Sequence, residues 1–160
     1  MIRKFCIAAA LALVAALPAT AHHDGDIYAK ENVQVSHAWT AETASMAHAI
    51  EVYMTIENAG DEPVTLTGAE VDFAKAGVFQ AQVVGDDGTL RTKDVKAIEI
   101  AAGQSVTMQP GALHIVFNDV QQVLHAGDHF HAHLQFAEAG ELEIEVEVEA
   151  PDDHHGEELG

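Results

Sequence analysis

The chain has 160 residues, 48% hydrophobic and 21% charged, which is enough for one domain with an ordinary core and too apolar for wholesale disorder. Acids outnumber bases 26 to 7, for a formal net charge of −19. That balance argues against nucleic acid, anionic membrane surfaces and nucleotides, and it suits a cationic ligand.

Met1–Ala21 reads as a secretory signal peptide. Arg3 and Lys4 form a basic start, Phe5 to Leu17 an apolar run too short to span a bilayer, and Ala19-Thr20-Ala21 a small-x-small cleavage site. No cysteine follows the apolar run, which argues against a lipid-anchored chain and leaves no membrane insertion after cleavage. Cys6, the only cysteine, lies inside the peptide. The mature chain is then expected to lack thiol catalysis, disulfides and thiolate metal sites. Its bases fall to five against 26 acids, a net −21. Eleven histidines remain as the conspicuous metal-capable groups.

Cleavage after Ala21 makes His22 the first residue. Its α-amine and ring Nδ1 can close a six-membered chelate on one copper ion, and a second imidazole completes a T-shaped histidine brace. The bland alternative is that His22-His23 is a polar terminus. Residues 22–32 read as a polar N-terminal segment.

From residue 33 to 150 the pattern is all β. Strands are expected at Val33–Trp39, His48–Glu57, Val64–Val71, Val78–Val84, Leu90–Val95, Ser105–Met108 and Leu113–Asn118. Gly, Asp and Pro turns separate them, as in a sandwich or barrel of short, mostly antiparallel, Greek-key strands. The last pair is the clearest. Phe130, Ala132, Leu134 and Phe136 alternate with His129, His131, His133 and Gln135, and Leu142, Ile144, Val146 and Val148 alternate with glutamates. A turn at Glu138–Gly140 with Phe136 opposite Leu142 sets His133 near Glu145 and His131 near Glu147. That column reads either as cross-strand charge pairing or as an auxiliary metal strip. Pro151–Gly160 reads as a disordered acidic tail carrying His154 and His155.

No nucleophile elbow, phosphate loop or dinucleotide fingerprint is present. The candidate metal ligands are His22, His48, His114, Met46, His37 and His23. Met46 and His48 adjoin where a strand begins, an imidazole–thioether pair suited to copper. Met54 shares the parity of His48, although a lone strand methionine usually packs in a core, as does Met108. Trp39 reads as a core residue. His114 opens an apolar strand, where a histidine is more often satisfied by hydrogen bonds.

Several segments in order resemble the PCuAC-type periplasmic copper chaperones. Val35-Ser36-His37-Ala38-Trp39 resembles their "AWAR" opening, and Tyr53-Met54-Thr55-Ile56-Glu57-Asn58 their "Y-hydrophobic-T-I-x-N" strand. Asp86-Asp87-Gly88, Pro110–His114, Gly127–Phe130 and Phe136-x-x-x-Gly140 continue the likeness, which spans Val33 to Ala150. It implies a cupredoxin-like β-sandwich and a copper-carrying role, with a copper-accepting periplasmic or membrane protein as partner. The family motif H(M)-x10-M-x21-H-x-M falls here on Gln80, Gln82, Thr92, His114 and Val116, so only His114 is kept. A soft Met/His site for Cu(I) cannot be built from that set. The expectation is a periplasmic, non-enzymatic copper chaperone or buffer. It would hold copper, as Cu(II), through His22 and a second imidazole, with His48 ranked before His114 and His37. The alternatives are a metal-free interaction module, a His-rich zinc or nickel buffer, and a braced-copper oxygenase. The last lacks the flat aromatic face a polymer would need.

Overall fold

In the computed structural model the chain is described over residues 26–150 apart from residue 44. The signal-peptide reading, His22, His23 and the 151–160 tail lie outside those residues. The described residues form eleven strands and no helix. They are β1 (Tyr28–Lys30), β2 (Val33–Ala41), β3 (Ala49–Asn58), β4 (Val64–Glu70), β5 (Val78–Val84), β6 (Leu90–Val95), β7 (Ile98–Ile100), β8 (Ser105–Thr107), β9 (His114–Asn118), β10 (His129–Phe136) and β11 (Gly140–Glu149). The expected all-β, mostly antiparallel architecture is what the chain adopts. β2 runs two residues past Trp39, and His48 falls just outside β3. The short β1 and β7 were not foreseen, because three-residue strands carry almost no periodic signal.

The hydrogen-bonded order is β6-β5-β9-β3-β2-β11-β10-β4-β7, with β1 added to β2 and β8 to β3. All pairs are antiparallel except β11 with β2. Both β2 and β3 change partners halfway along. β3 meets β9 over Ala49–Val52 and β8 over Thr55–Glu57. β2 meets β1 over Val33–Val35 and β11 over Trp39–Ala41. A strand shared between two partners can bend the sheet, and β2 does so at a bulge between Ser36 and Trp39. His37 sits in that bulge with φ 50°, a left-handed value costly for a residue with a Cβ.

Alternation decides which face is inside. Ile50, Val52, Met54, Ile56 and Asn58 of β3 are buried, as are Phe130, Ala132, Leu134 and Phe136 of β10 and Leu142, Ile144, Val146 and Val148 of β11. These side chains meet in one core cluster with Leu66, Ile100, Ile115, Phe117 and Leu124. Met54 and Met108 both belong to it, so Met54 does not share a surface with the exposed Met46 and His48.

The β10–β11 hairpin differs from the expected register by two residues. Phe136 pairs with Gly140, and Leu134 with Leu142. Gly140 takes φ 74°, so the loop shortens to three residues and Gly140 enters the strand. A shift of two keeps every side chain on its expected face but changes its partner. His133 therefore lies opposite Glu143, and His131 opposite Glu145.

One buried polar side chain closes the sheet. Asn58 is fully buried; its amide donates to the carbonyls of Glu62 (2.7 Å) and Ile100 (3.1 Å), and its carbonyl accepts from the Gly60 N–H (3.0 Å). Asn58→Ala should destabilise the fold by about 3 kcal/mol, because the partners lose their hydrogen bonds in a dry site. Denaturant unfolding of the variant at neutral pH measures it.

Candidate metal site

The outer face of the sheet carries a row set by strand register. Trp39 of β2 pairs with Tyr53 of β3. Extending the β3–β9 register by one residue sets Tyr53 against His114. Gln80 of β5 pairs with His114 and, on its other side, with Asp94 of β6. Directly opposed antiparallel residues share a face, so these side chains form one continuous row. Trp39 packs on Tyr53 with ring centroids 4.5 Å apart, and Tyr53 lies 6.2 Å from the His114 ring. Gln80 Nε2 donates to Asp94 at 2.9 Å.

His114 is the chemical centre of the row. It is only 4% exposed. Its Nδ1 lies 3.1 Å from the carbonyl oxygen of Ala112. A carbonyl can only accept, so Nδ1 carries the hydrogen, and in the neutral ring Nε2 is left with its lone pair. No hydrogen bond among the described residues reaches Nε2, and because no fully buried polar side-chain atom among them is left unpartnered, Nε2 keeps a small contact with solvent. It faces Glu51 Oε1 at 3.9 Å.

Glu51 is held in place by its neighbours. The Tyr53 hydroxyl donates to Oε2, which leaves Oε1 turned to His114. Thr40 Oγ1 donates to the Glu51 backbone carbonyl at 2.8 Å. Burial, then the hydrogen bond to Glu51 and its charge, push the Tyr53 phenol well above the ordinary tyrosine range. It is a hydrogen donor at any physiological pH. Two lone-pair donors thus face each other across a gap near the sum of two metal–ligand bonds of roughly 2 Å each.

The structure separates the remaining candidates. His37 is exposed in the β2 bulge, at one side of a groove of about 360 Å³ that Trp39, Thr55, Gln109 and Glu149 also line, with the buried Met54 and Met108 on its walls. His48 is exposed ahead of β3, where its charge acts on Asp119. It stands five residues from Tyr53, about 16 Å at 3.3 Å per residue, so it is not part of the row. Met46 is exposed on the same approach. No three His, Cys, Asp or Glu side chains among the described residues are already gathered around one point. Sequence reasoning missed Glu51 and Tyr53 as a unit, and Trp39, read as a core residue, is half-buried and packs against the core cluster, with its ring on Tyr53. The alternation of β3, with even positions inward, already set Glu51 and Tyr53 on one side.

The positions of the family motif come together on this same face. Gln80 is opposite His114, Gln82 opposite Thr92, and Val78 opposite Val116. The ligating atoms there are gone apart from those of His114.

A family model described as LpqE-like, a lipoprotein family, matches residues 33–148, and the chain belongs to that family. No curated protein sequence matches it. Among solved structures it is similar to the copper-bound PCuAC domain from PmoF2, with 25% identity and a TM-score of 0.68 over 79% of this chain and 99% of that domain. The apo PCuAC domain from PmoF1 gives 23% and 0.69, over 79% and 100% respectively. The solution structure of apo-DR1885 from Deinococcus radiodurans gives 20% and 0.59, over 92% and 97%. The fold is therefore the cupredoxin-like PCuAC fold.

Because the fold favours the neutral Tyr53 phenol, its contribution is complete below the ordinary tyrosine pKa of about 10 and is lost as pH rises above it. Tyr53→Phe should cost about 1 kcal/mol at pH 7 for the missing hydrogen bond, and it should flatten the fall in stability above pH 10. Denaturant midpoints of the metal-free protein between pH 7 and 11 test both.

Proposed function

We propose that the chain is an extracytoplasmic copper-binding protein, a carrier or buffer without catalysis, which holds Cu(II) between His22 at the processed N-terminus and His114. The observation that carries this reading is His114 itself. It is the one ligand kept from the family motif, its Nδ1 is anchored on a carbonyl, and its Nε2 is presented toward a carboxylate. A second hydrogen bond that orients the ring is how proteins prepare a histidine for a metal. The PmoF2 domain is copper-bound in its solved structure, and the likeness spans nearly all of that domain.

The donor types select the oxidation state. Amine, imidazole and carboxylate are nitrogen and oxygen donors, which suit Cu(II) better than Cu(I). The methionines that would soften the site are elsewhere, Met54 and Met108 in the core and Met46 at the surface. From His22 to Asp26 is four residues, about 13 Å when extended. β1 meets β2 with Tyr28 opposite Val35, so Asp26 comes in near His37. From β2 to His114 on β9 is two strand spacings, about 10 Å. His48 is farther along the strand direction, and this is why His114 now ranks before it.

The location rests on the signal-peptide reading and on the lipoprotein description of the family. This chain has no cysteine after its apolar run, so a free periplasmic protein fits it better than an anchored one. The recipient is a copper-accepting periplasmic or membrane protein.

The test is Cu(II) binding to protein processed to begin at His22. One tight equivalent with a nitrogen-rich tetragonal EPR signal is expected. Adding one Ala before His22, or replacing His114 with Gln, should each weaken it about a hundredfold or more. His48→Ala should leave it unchanged. Unaltered affinity in the Ala-extended chain overturns the brace, and absence of tight copper in the native chain overturns the function.

A further inference from the structure

The outer face of the β10–β11 hairpin holds a second set of nitrogen and oxygen donors; β11 is paired with β2 and lies three strands from the β9 that carries His114. His129, His131 and His133 project from one face of β10 at every second residue. Glu141, Glu143, Glu145 and Glu147 do the same on β11. The imidazoles lean diagonally across the pair. His129 Nδ1 lies 3.5 Å from Glu145, His131 Nδ1 3.4 Å from Glu143, and His133 Nδ1 3.2 Å from Glu141.

Glu143 is the exceptional member. Its Oε1 faces His131 Nδ1 at 3.4 Å, while its Oε2 faces His133 Nε2 at 3.8 Å. One carboxylate therefore sits between two imidazoles. The trio is not closed around a point, but all three side chains are at least partly solvent-exposed and can change rotamer. Two imidazoles two residues apart on a strand, with a carboxylate across from them, offer the nitrogen and oxygen set of a borderline divalent ion.

The surroundings favour a cation. From the neighbouring β4, Glu70 pairs opposite His133. From β1, Tyr28 lies near Glu145, and Lys30 donates to the Glu141 carbonyl. Gln135, His133 and, more weakly, Lys30 hold Glu141 below the usual carboxylate range. Lys30 is a cation on this face, where Glu70, Glu141, Glu143, Glu145 and Glu147 supply five carboxylates.

We infer that His131, Glu143 and His133 form a second, weaker site for a borderline divalent transition-metal ion, with Cu(II) bound more tightly than Zn(II), independent of the N-terminal amine. Cu(II) leads because affinity for such donors rises to copper along the first-row series. Exposure keeps the site weak, since water competes for the metal and salt screens the carboxylates. A weak acidic patch of this kind collects metal and releases it readily.

The experiment is titration with Cu(II) alone and with Zn(II) alone, using protein that begins at His22, with amide NMR to locate the paramagnetic broadening. A second, weaker Cu(II) equivalent that broadens residues 129–135 and 141–147 is expected. The double variant His131→Gln/His133→Gln should weaken it about tenfold or more and leave the tight equivalent unchanged. Glu143→Gln supplies the same reading if the double variant fails to fold. The Ala-extended chain should keep the weak equivalent while losing the tight one, which separates failure here from failure of the proposed function. Unchanged weak binding in both hairpin variants, or its loss in His154→Gln/His155→Gln instead, overturns the assignment.

Discussion

The register of β3 against its neighbours is the constraint on which the rest depends. β3 is paired along both edges, by β2 on one side and by β9 and β8 on the other. Its even positions fill the core, so its odd positions lie on the opposite face of the strand, where Tyr53 is itself buried. Glu51 and Tyr53 are two of those odd positions. A slip of one residue would bury Glu51 unpaired and expose Met54, at the cost of both the core and the site. The hydrophobic alternation that folds the protein is thus also what aims Glu51 at His114.

The supports around that row are local and redundant. Thr40 ties β2 to the Glu51 backbone, Tyr53 orients the carboxylate, and Trp39 covers Tyr53. Ala112, two residues before His114, orients the imidazole from the other side. Thr40, Tyr53 and Trp39 are fixed by strand pairing, and the Ala112 carbonyl also accepts from the Gln82 N–H at 3.3 Å. Ring and carboxylate are therefore preset, and such a pair would lose little freedom on binding an ion. The bulge at His37 belongs to the same region, and its left-handed backbone is held only because β2 must switch partners there.

The long strands were legible in the sequence because each has one buried face. The alternation in Phe130–Phe136 and Leu142–Val148 names both strands and both faces without ambiguity. It does not name partners, since alternation is blind to shifts of two. The hairpin register waited on Gly140, whose positive φ moves it from the turn into the strand. The site was half-legible. His114 stood out through the family motif, yet its partner Glu51 lies 63 residues away in sequence, and no local pattern joins them. Glu51 was one of 26 acids until the β3–β9 pairing singled it out. Trp39 is half-buried against the core rather than within it, because the bulge between Ser36 and Trp39 shifts the parity that Val33 and Val35 set.

The charge of the molecule bears on metal selection as well as on attraction. A strongly acidic surface draws every cation, so it raises the local concentration of ions without choosing among them. Choice has to come from donor atoms. On the His114 row the positions that would carry soft sulfur are Thr92 and Val116, and the available atoms are nitrogen and oxygen. Met54 and Met108 are buried in the core and reach the groove beside His37 only at its walls, away from His114. With no cysteine among the described residues and the thioethers of Met54 and Met108 buried, selectivity between Cu(II) and other divalent ions on this row would have to come from how many nitrogens converge. An amine at a processed N-terminus, as proposed, would add one such nitrogen to the one that His114 holds in place.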